Sequence, residues 1–164
     1  MANATFTPPT PHNEPVLSYA PGSPERAALQ AEVDRRSKVK IDAPMWIGGK
    51  AVTTKDQRKM TSPQKHDHVL GMAHYGDAKT VKAAIDAALK AKRDWENMPW
   101  EDRGAILLKA ADLISGPYRA RINAATMLGQ GKNAYQAEID AACEFADFLR
   151  FNVSYAAQIY KDQP

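Results

Sequence analysis

A carboxylate among aromatic residues is the feature of this sequence that most strongly suggests a binding site. Glu144 is followed at steps of four, seven and eleven residues by Phe148, Phe151 and Tyr155, and this spacing places all four side chains on one stripe of a helix. A carboxylate in an aromatic wall is costly to bury unless it is paired. Two interpretations follow. Glu144 forms an ion pair with a neighbouring cation such as Lys132, which the residues alone favour, or it faces a cavity that receives a cationic ligand.

The run Gly129-Gln130-Gly131-Lys132 has some of the residues of a phosphate-binding loop. Glycine amides and a lysine at the start of a helix can hold an anion. A Walker loop, however, has more widely spaced glycines, a Ser or Thr after the lysine, and a strand before it. Here Asn133 follows the lysine and a helical pattern precedes the glycines. We therefore predict a tight turn between two helices.

The histidines and the single cysteine do not complete a reactive set. His66 and His68 would share one face of a strand with His74 nearby, but two ligands do not close a zinc site, so we predict surface or turn positions. Cys143 lies in the middle of a helical pattern, away from a helix N-terminus that could lower its pKa. We expect it to behave as a small buried side chain. The sequence thus predicts no catalytic, cofactor-binding or metal-binding residue.

The composition describes an ordinary globular protein of one domain. The 164 residues are 44% hydrophobic and 25% charged, with a net charge of +3, as in typical soluble domains. A short basic run is too small for a nucleic-acid footprint, and no apolar run approaches a membrane span. One cysteine excludes an internal disulfide and fits a reducing compartment. The N-terminus resembles neither a secretory signal nor a mitochondrial presequence, so a cytoplasmic location is expected.

The elements that would position Glu144 are mostly helical. Apolar residues without Gly or Pro predict one long helix over 133–160, apolar over much of its circumference and therefore expected to be buried on more than one side. Further helices are predicted at 24–37, 77–96, 99–115 and 117–128. The fold class is mostly α with a small β hairpin or meander.

The remaining segments are short strands and an extended arm. Short β runs predict strands between 45 and 73, with a hairpin turn at Gly48-Gly49 because glycines accept the positive φ of a tight turn. The prolines of residues 1–22 exclude regular structure. We therefore divide the chain into a proline-rich extended arm at 1–22 and a folded region at 23–164.

Several short runs of the sequence together carry a family resemblance. The most specific are Asn13-Glu14-Pro15 and 150–152, Arg-Phe-Asn, and the others are 22–26, 109–117, 129–132 and 136–142. They resemble the N-terminal part of the pyrroline-5-carboxylate dehydrogenase family, also called L-glutamate γ-semialdehyde dehydrogenases, in the aldehyde dehydrogenase superfamily. The resemblance extends from about residue 13 to residue 164. It implies the N-terminal helical layer of an α/β aldehyde dehydrogenase fold, with the Rossmann core not included.

The resemblance implies an NAD-dependent oxidation of L-glutamate γ-semialdehyde to glutamate in proline catabolism. In the family a cysteine attacks the aldehyde, hydride passes to NAD, and a glutamate activates the hydrolytic water. Cys143 does not match that nucleophile, and these residues and the NAD site lie after the similar region. We therefore expect the chain alone to be inactive and to bind no NAD. The resemblance also reverses the preference for an ion pair: it implies that Glu144 receives the amino group of the semialdehyde, with Phe148 in the same wall.

The expected partners follow from the same resemblance. They are the C-terminal part of the enzyme or a homologous subunit, with a homo-oligomer for the full-length enzyme and no nucleic acid or membrane. A mitochondrial matrix location is the alternative to the cytoplasm. The alternative function is a free-standing helical interaction module that binds a full-length paralogue or a C-terminal partner. Because so much of the last helix is apolar, we also expect the chain alone to be marginally stable or to self-associate.

Overall fold

The computed structural model describes residues 6–162, so the first five residues of the predicted arm and the last two of the folded region lie outside the described part. Its helices and strands agree with the predicted fold class, mostly α with a small β portion. The elements in chain order are α1 (Pro24–Lys38), β1 (Ile41–Ala43), β2 (Met45–Ile47), β3 (Lys50–Val52), β4 (Gln57–Ser62), β5 (Lys65–His74), α2 (Ala78–Asn97), α3 (Trp100–Ser115), α4 (Arg119–Gln130), α5 (Ala134–Ala137), a π-helical segment (Glu138–Cys143) and α6 (Glu144–Asp162).

The strands form two small sheets. β5 is the central strand of a three-stranded sheet, antiparallel to β4 and parallel to β1. β2 and β3 form the predicted hairpin, and the glycines of its turn have φ of 58° and 76°. β1 lies outside the range in which strands were predicted. It pairs with β5 at Gly71, where a Cβ atom would lie 2.0 Å from the Ile41 carbonyl oxygen.

Local capping explains where most helices begin and end. The side chain of Ser23 accepts from the backbone amide of Arg26 at the start of α1, and Asp77 does the same for Thr80 at the start of α2. Such caps satisfy backbone amides that have no partner within the helix. Gly131 ends α4 with a φ of 75°, a left-handed conformation that glycine adopts without strain.

The predicted helix over 133–160 is present but is not uniform. It begins as α5, continues through the π-helical segment, and ends as α6. At the end of the π-helical segment the Glu144 amide donates to the Ile139 carbonyl, a step of five residues that adds one residue to the turn. Hydrophobic periodicity does not reveal this change, because its apolar spacing is that of an ordinary helix.

The long helix is packed on more than one side within residues 6–162, but part of its apolar surface is exposed. α6 packs on α3, with Ala111, Ile114 and Ala146 in the shared core, while the arm and α4 contact the helix at Glu138. Phe145 and Phe148 nevertheless are 49% and 59% exposed. The apolar stripe of α2 is also exposed, and that helix has no buried residue. No helix within residues 6–162 is long and apolar enough to cross a membrane.

The described part of the arm, residues 6–20, runs antiparallel to the long helix. Phe6 packs edge-on against Trp100 at 5.5 Å, and Trp100 stacks on Tyr160 near the helix C-terminus. At the other end the amide of Leu17 donates to the Glu138 carboxylate. The arm then enters a second core, formed by Tyr19, α1 and α4. It lacks helix and strand, as its prolines predict, yet it is held against the helix along most of its length.

Candidate functional site

A groove of about 530 Å³ lies between the arm and the long helix. Helix residues form one wall, and the arm forms the other. The arm contributes Asn13, Glu14 and Val16, and the helix contributes Ile139, Cys143, Glu144, Asp147, Phe148, Phe151, Asn152 and Tyr155. A larger depression of about 780 Å³ lies further along the arm and shares Phe151 and Tyr155 with the groove. The groove is of greater chemical interest, because it contains the carboxylate identified in the sequence.

Glu144 is exposed to this groove and does not pair with Lys132. The Lys132 ammonium instead contacts Asp140 at 2.6 Å, because Asp140 is nearer to it along the helix. No salt bridge to Glu144 occurs among residues 6–162. The structure therefore contradicts the ion pair with Lys132 that the residues alone favoured. It leaves the carboxylate open to a ligand that enters the groove.

The aromatic side chains next to Glu144 are arranged as the helical spacing predicts. Phe148 follows Glu144 by one turn and is 59% exposed, and the rings of Phe151 and Tyr155 lie 6.2 Å apart. Aromatic faces carry partial negative charge and attract cations as well as apolar chains. The groove thus brings together Glu144 and Phe148, the two residues predicted to contact a substrate. Their role in binding stays a prediction.

Directly behind the groove lies a buried ion network that the sequence analysis did not identify. Glu138 is fully buried and accepts hydrogen bonds from the Arg119 guanidinium, the Tyr19 hydroxyl at 2.7 Å and the Asn123 amide at 2.7 Å. It also accepts from the Leu17 backbone amide at 2.8 Å. Buried carboxylates are tolerated when they are paired and hydrogen-bonded in this way.

Glu14 extends the network from the arm to α6. Its two carboxylate oxygens accept from Arg119 at 2.5 Å and from Arg150 at 2.6 Å, and Arg119 also donates to the Pro15 carbonyl at 2.7 Å. The two runs on which the resemblance mainly rests, Asn13-Glu14-Pro15 and the one that begins at Arg150, therefore meet in space. Two carboxylates and two guanidinium groups balance each other in this buried region.

The network shifts the pKa values of its members in directions that follow from these contacts. Burial disfavours the charged form of Glu138, but the hydrogen bonds from Arg119, Tyr19, Leu17 and Asn123 outweigh it and lower the pKa of the carboxyl. Burial and the adjacent Glu138 carboxylate raise the pKa of the Tyr19 hydroxyl. The Glu138 carboxylate therefore stays charged, and Tyr19 stays a neutral donor.

Cys143 is buried beside this network, as predicted. Its side chain is 4% exposed, and burial, followed by the negative charge of Glu138, raises the pKa of the thiol to about 11. A nucleophilic cysteine needs the opposite shift. Cys143 is therefore a structural residue, although its backbone belongs to the segment that borders the groove.

No local pattern identifies this network in the sequence. Glu138 lies between Ala137 and Ile139 in an apolar helix, and its partners are remote: Arg119 by 19 residues, Tyr19 by 119 and Leu17 by 121. A charged residue inside an apolar run is the one available signal, since such a residue must find a partner. It does not say which partner.

The other candidate residues have structural roles. The turn predicted at Gly131 is confirmed: Gly129 lies within α4 and Gly131 caps it. Asn133 then forms a capping box with Gln136 at the start of α5.

The three histidines considered as metal ligands, His66, His68 and His74, lie on β5. The surface or turn position predicted for His74 is wrong, because its ring is buried between Thr54 and Asp42. Its Nε2 atom lies 2.8 Å from the Asp42 carboxylate. Within the described chain there is no group of three or more His, Cys, Asp or Glu side chains that could hold a metal ion.

Comparison with known proteins gives the family. The sequence model of the aldehyde dehydrogenase family matches residues 51–163. The chain belongs to the aldehyde dehydrogenase family. A relative from Agaricus bisporus named delta-1-pyrroline-5-carboxylate dehydrogenase is 54% identical over 162 residues, which cover 98% of this chain and 30% of the relative. The human protein of that name, designated mitochondrial, is 47% identical over 93% of this chain and 27% of its own length.

The similarity extends to three-dimensional structure. The crystal structure of the delta-pyrroline-5-carboxylate dehydrogenase from Mycobacterium tuberculosis superimposes with a TM-score of 0.97 at 45% identity, covering 99% of this chain and 31% of that one. A further structure of that enzyme contains bound NAD. These similarities confirm the resemblance to the N-terminal segment of such enzymes. The chain spans less than a third of the length of these relatives.

Proposed function

We propose that this chain supplies the N-terminal part of an NAD-dependent dehydrogenase that oxidises L-glutamate γ-semialdehyde to glutamate in proline catabolism. The observation that carries the proposal is the groove in which the Glu144 carboxylate, without a salt bridge among residues 6–162, lies beside Phe148. The printed names of the similar enzymes support the same substrate.

The chemistry of the groove suits this substrate. The semialdehyde carries an ammonium group on a short aliphatic chain. A carboxylate and an ammonium about 4 Å apart attract each other by about 1 kcal/mol in water and about 4 kcal/mol at the effective dielectric constant of a partly covered site. An aromatic face adds about 0.5–2 kcal/mol for a cation. In this proposal Glu144 binds the ammonium group, and Phe148 covers the aliphatic chain and excludes water.

The glycine loop at residues 129–132 does not fit NAD. The glycine pair ends a helix and leads into another helix, whereas a dinucleotide loop follows a strand. The lysine that follows the glycines is paired with Asp140. No step of the reaction is therefore derived through NAD. We propose that the remainder of the enzyme binds it and supplies the nucleophile, so that the chain alone is inactive.

A substitution of Glu144 tests the proposal. The chain is combined with the C-terminal remainder of a related dehydrogenase, and NADH formation from L-glutamate γ-semialdehyde is measured. We expect Glu144→Gln to raise the KM for the semialdehyde about tenfold, with the KM for NAD unchanged, because one favourable charge interaction worth about 1.4 kcal/mol is lost. Asp94→Asn, at an exposed position of α2, is the matched control. An unchanged KM in Glu144→Gln, or NADH production by the chain alone, refutes the proposal.

The exposed apolar faces support the second candidate, a helical interaction module. Phe145 and Tyr155 on the long helix are about half exposed, as are Val81 and Ile85 on α2. Exposed large apolar side chains such as these are typical of an interface. Light scattering of the purified chain separates the two candidates. Aggregation that a C-terminal part relieves, with recovery of activity, supports the enzyme. A well-folded monomer that ignores that part supports the module.

The cellular location and the oligomeric state are proposed together with the dehydrogenase function. We propose a cytoplasmic enzyme that forms a homo-oligomer when complete, with the mitochondrial matrix as the alternative. The relatives from human and Dictyostelium discoideum are designated mitochondrial. Cell fractionation with detection of this chain decides between the two compartments, and gel filtration of the complete enzyme reports its assembly.

A further inference from the structure

We infer that residues 13–16 of the arm form a wall of the substrate site, and that Asp147 is the positioning residue that holds this wall opposite Glu144. The inference rests on the proposed function and adds to it a specific part of the chain. The groove is lined by Asn13, Glu14 and Val16 on one side and by Glu144 and its helical neighbours on the other. Without the arm, Glu144 would lie on an open helix surface.

Asp147 and Glu144 have different tasks although they lie one turn apart on the same side of α6. Both carboxylate oxygens of Asp147 are occupied by the arm: one accepts from the Asn13 side-chain amide at 2.8 Å and the other from the Glu14 backbone amide at 2.6 Å. Residues three apart on a helix are neighbours on its surface. Asp147 therefore holds the arm beside Glu144, whose own carboxylate stays open to the groove.

The ion network holds the same arm segment from beneath. Glu14 is clamped between Arg119 and Arg150, and its side chain is only 13% exposed. Arg119 also donates to the Pro15 carbonyl, and the Leu17 amide donates to Glu138. These contacts and the two to Asp147 lie within five consecutive arm residues. The width of the groove is therefore determined by how firmly the arm is held.

The same arrangement determines the charge of the site. Five carboxylates, those of Glu14, Asp112, Glu138, Glu144 and Asp147, share the region with the guanidinium groups of Arg119 and Arg150. Both guanidinium groups are engaged by Glu14, and Arg119 also by Glu138. The excess of negative charge lies at Asp147 and Glu144, which both line the groove. These carboxylates attract the ammonium group of a ligand that enters the groove.

Substitution on either side of the arm contact tests the inference. Asp147→Asn turns one acceptor oxygen into a donor that faces the donors of Asn13 or Glu14, and Asn13→Ala removes one of the two contacts at an exposed position. In the reconstituted dehydrogenase, we expect hydrogen exchange at the backbone amides of Glu14, Val16 and Leu17 to become about tenfold faster in either variant. We also expect the KM for the semialdehyde to rise about fivefold, with kcat and the KM for NAD unchanged.

Three comparisons separate positioning from a general loss of structure. Asp147→Glu keeps a carboxylate, so its KM for the semialdehyde rises less than that of Asp147→Asn. The double variant Asn13→Ala with Asp147→Asn is no worse than the more affected single variant, because the contact that Asn13→Ala removes is one of the two that Asp147→Asn disturbs. Asp94→Asn leaves both the exchange and the KM unchanged. Destabilisation alone lowers kcat through the active fraction and leaves the KM unchanged.

The outcomes also separate this inference from the proposed function. An unchanged KM in Asp147→Asn and Asn13→Ala, together with a raised KM in Glu144→Gln, overturns the inference and leaves the proposed function intact. An unchanged KM in Glu144→Gln overturns the proposed function itself. If exchange at the Glu14, Val16 and Leu17 amides does not change in Asp147→Asn, Asp147 does not hold the arm, whatever the activity.

Discussion

Glu138→Gln is the substitution for which the structure predicts the largest effect. Oε1 of Glu138 accepts from Arg119 and the Leu17 amide, and Oε2 accepts from Tyr19 and Asn123. A glutamine has nearly the same shape but only one acceptor oxygen. Whichever way its amide turns, the NH2 group faces donors, and Arg119 loses a buried counter-charge.

The expected cost is about 3–5 kcal/mol, the range for a buried ion pair from which one partner is removed. Glu14 still engages Arg119, which favours the lower end of this range. Because domains are stable by only about 5–15 kcal/mol, the variant loses a large share of its stability. At an m-value of about 2 kcal/mol per M, the midpoint of urea unfolding decreases by about 2 M.

Urea unfolding followed by circular dichroism measures this shift. The control is Asp86→Asn, which breaks the Lys82–Asp86 pair, whose side chains are 74% and 59% exposed; a surface pair of this kind contributes at most about 0.5 kcal/mol. If Glu138→Gln shifts the midpoint no more than Asp86→Asn does, the network does not stabilise the fold and the reasoning is refuted.

Two further predictions concern pH and the turn after α4. Because the folded pKa of Glu138 is lowered, its contribution to stability is complete above its ordinary pKa of 4.5 and is lost as the pH falls through the folded value. The raised pKa of Cys143 acts in the opposite direction, so stability decreases as the pH rises from 9.0 towards about 11; thermal unfolding across pH measures both, and a flat profile contradicts them. Gly131→Ala forces a side chain into a φ of 75° with its Cβ 3.1 Å from Pro63, and should cost about 1–2 kcal/mol. Gly129→Ala, where a Cβ meets no atom within 4 Å, is its control in urea unfolding, and equal stability of the two variants would refute the argument.

Part of the candidate site could be predicted from the sequence. Spacing alone places Glu144 and Phe148 on one stripe, because helical periodicity is a local property. The arm that forms the opposite wall could not be predicted, since its contact with Asp147 joins residues more than 130 positions apart. The preference for Lys132 as the partner of Glu144 was wrong for a related reason: periodicity places residues on a helix face but does not decide which of two nearby carboxylates a lysine contacts.

The sequence by itself determined the approximate positions of the long helices, the N-caps at Ser23 and Asp77, and the hairpin. Ser23, Asp77 and the Gly48-Gly49 turn act on backbone groups within a few residues, so their effects can be predicted without knowing the fold. Only the tertiary structure decided that the arm lies along the last helix and that Glu138 is paired. Those contacts depend on which distant segments come together. A buried charge shows that it needs a partner, but the folded chain alone decides which one it finds.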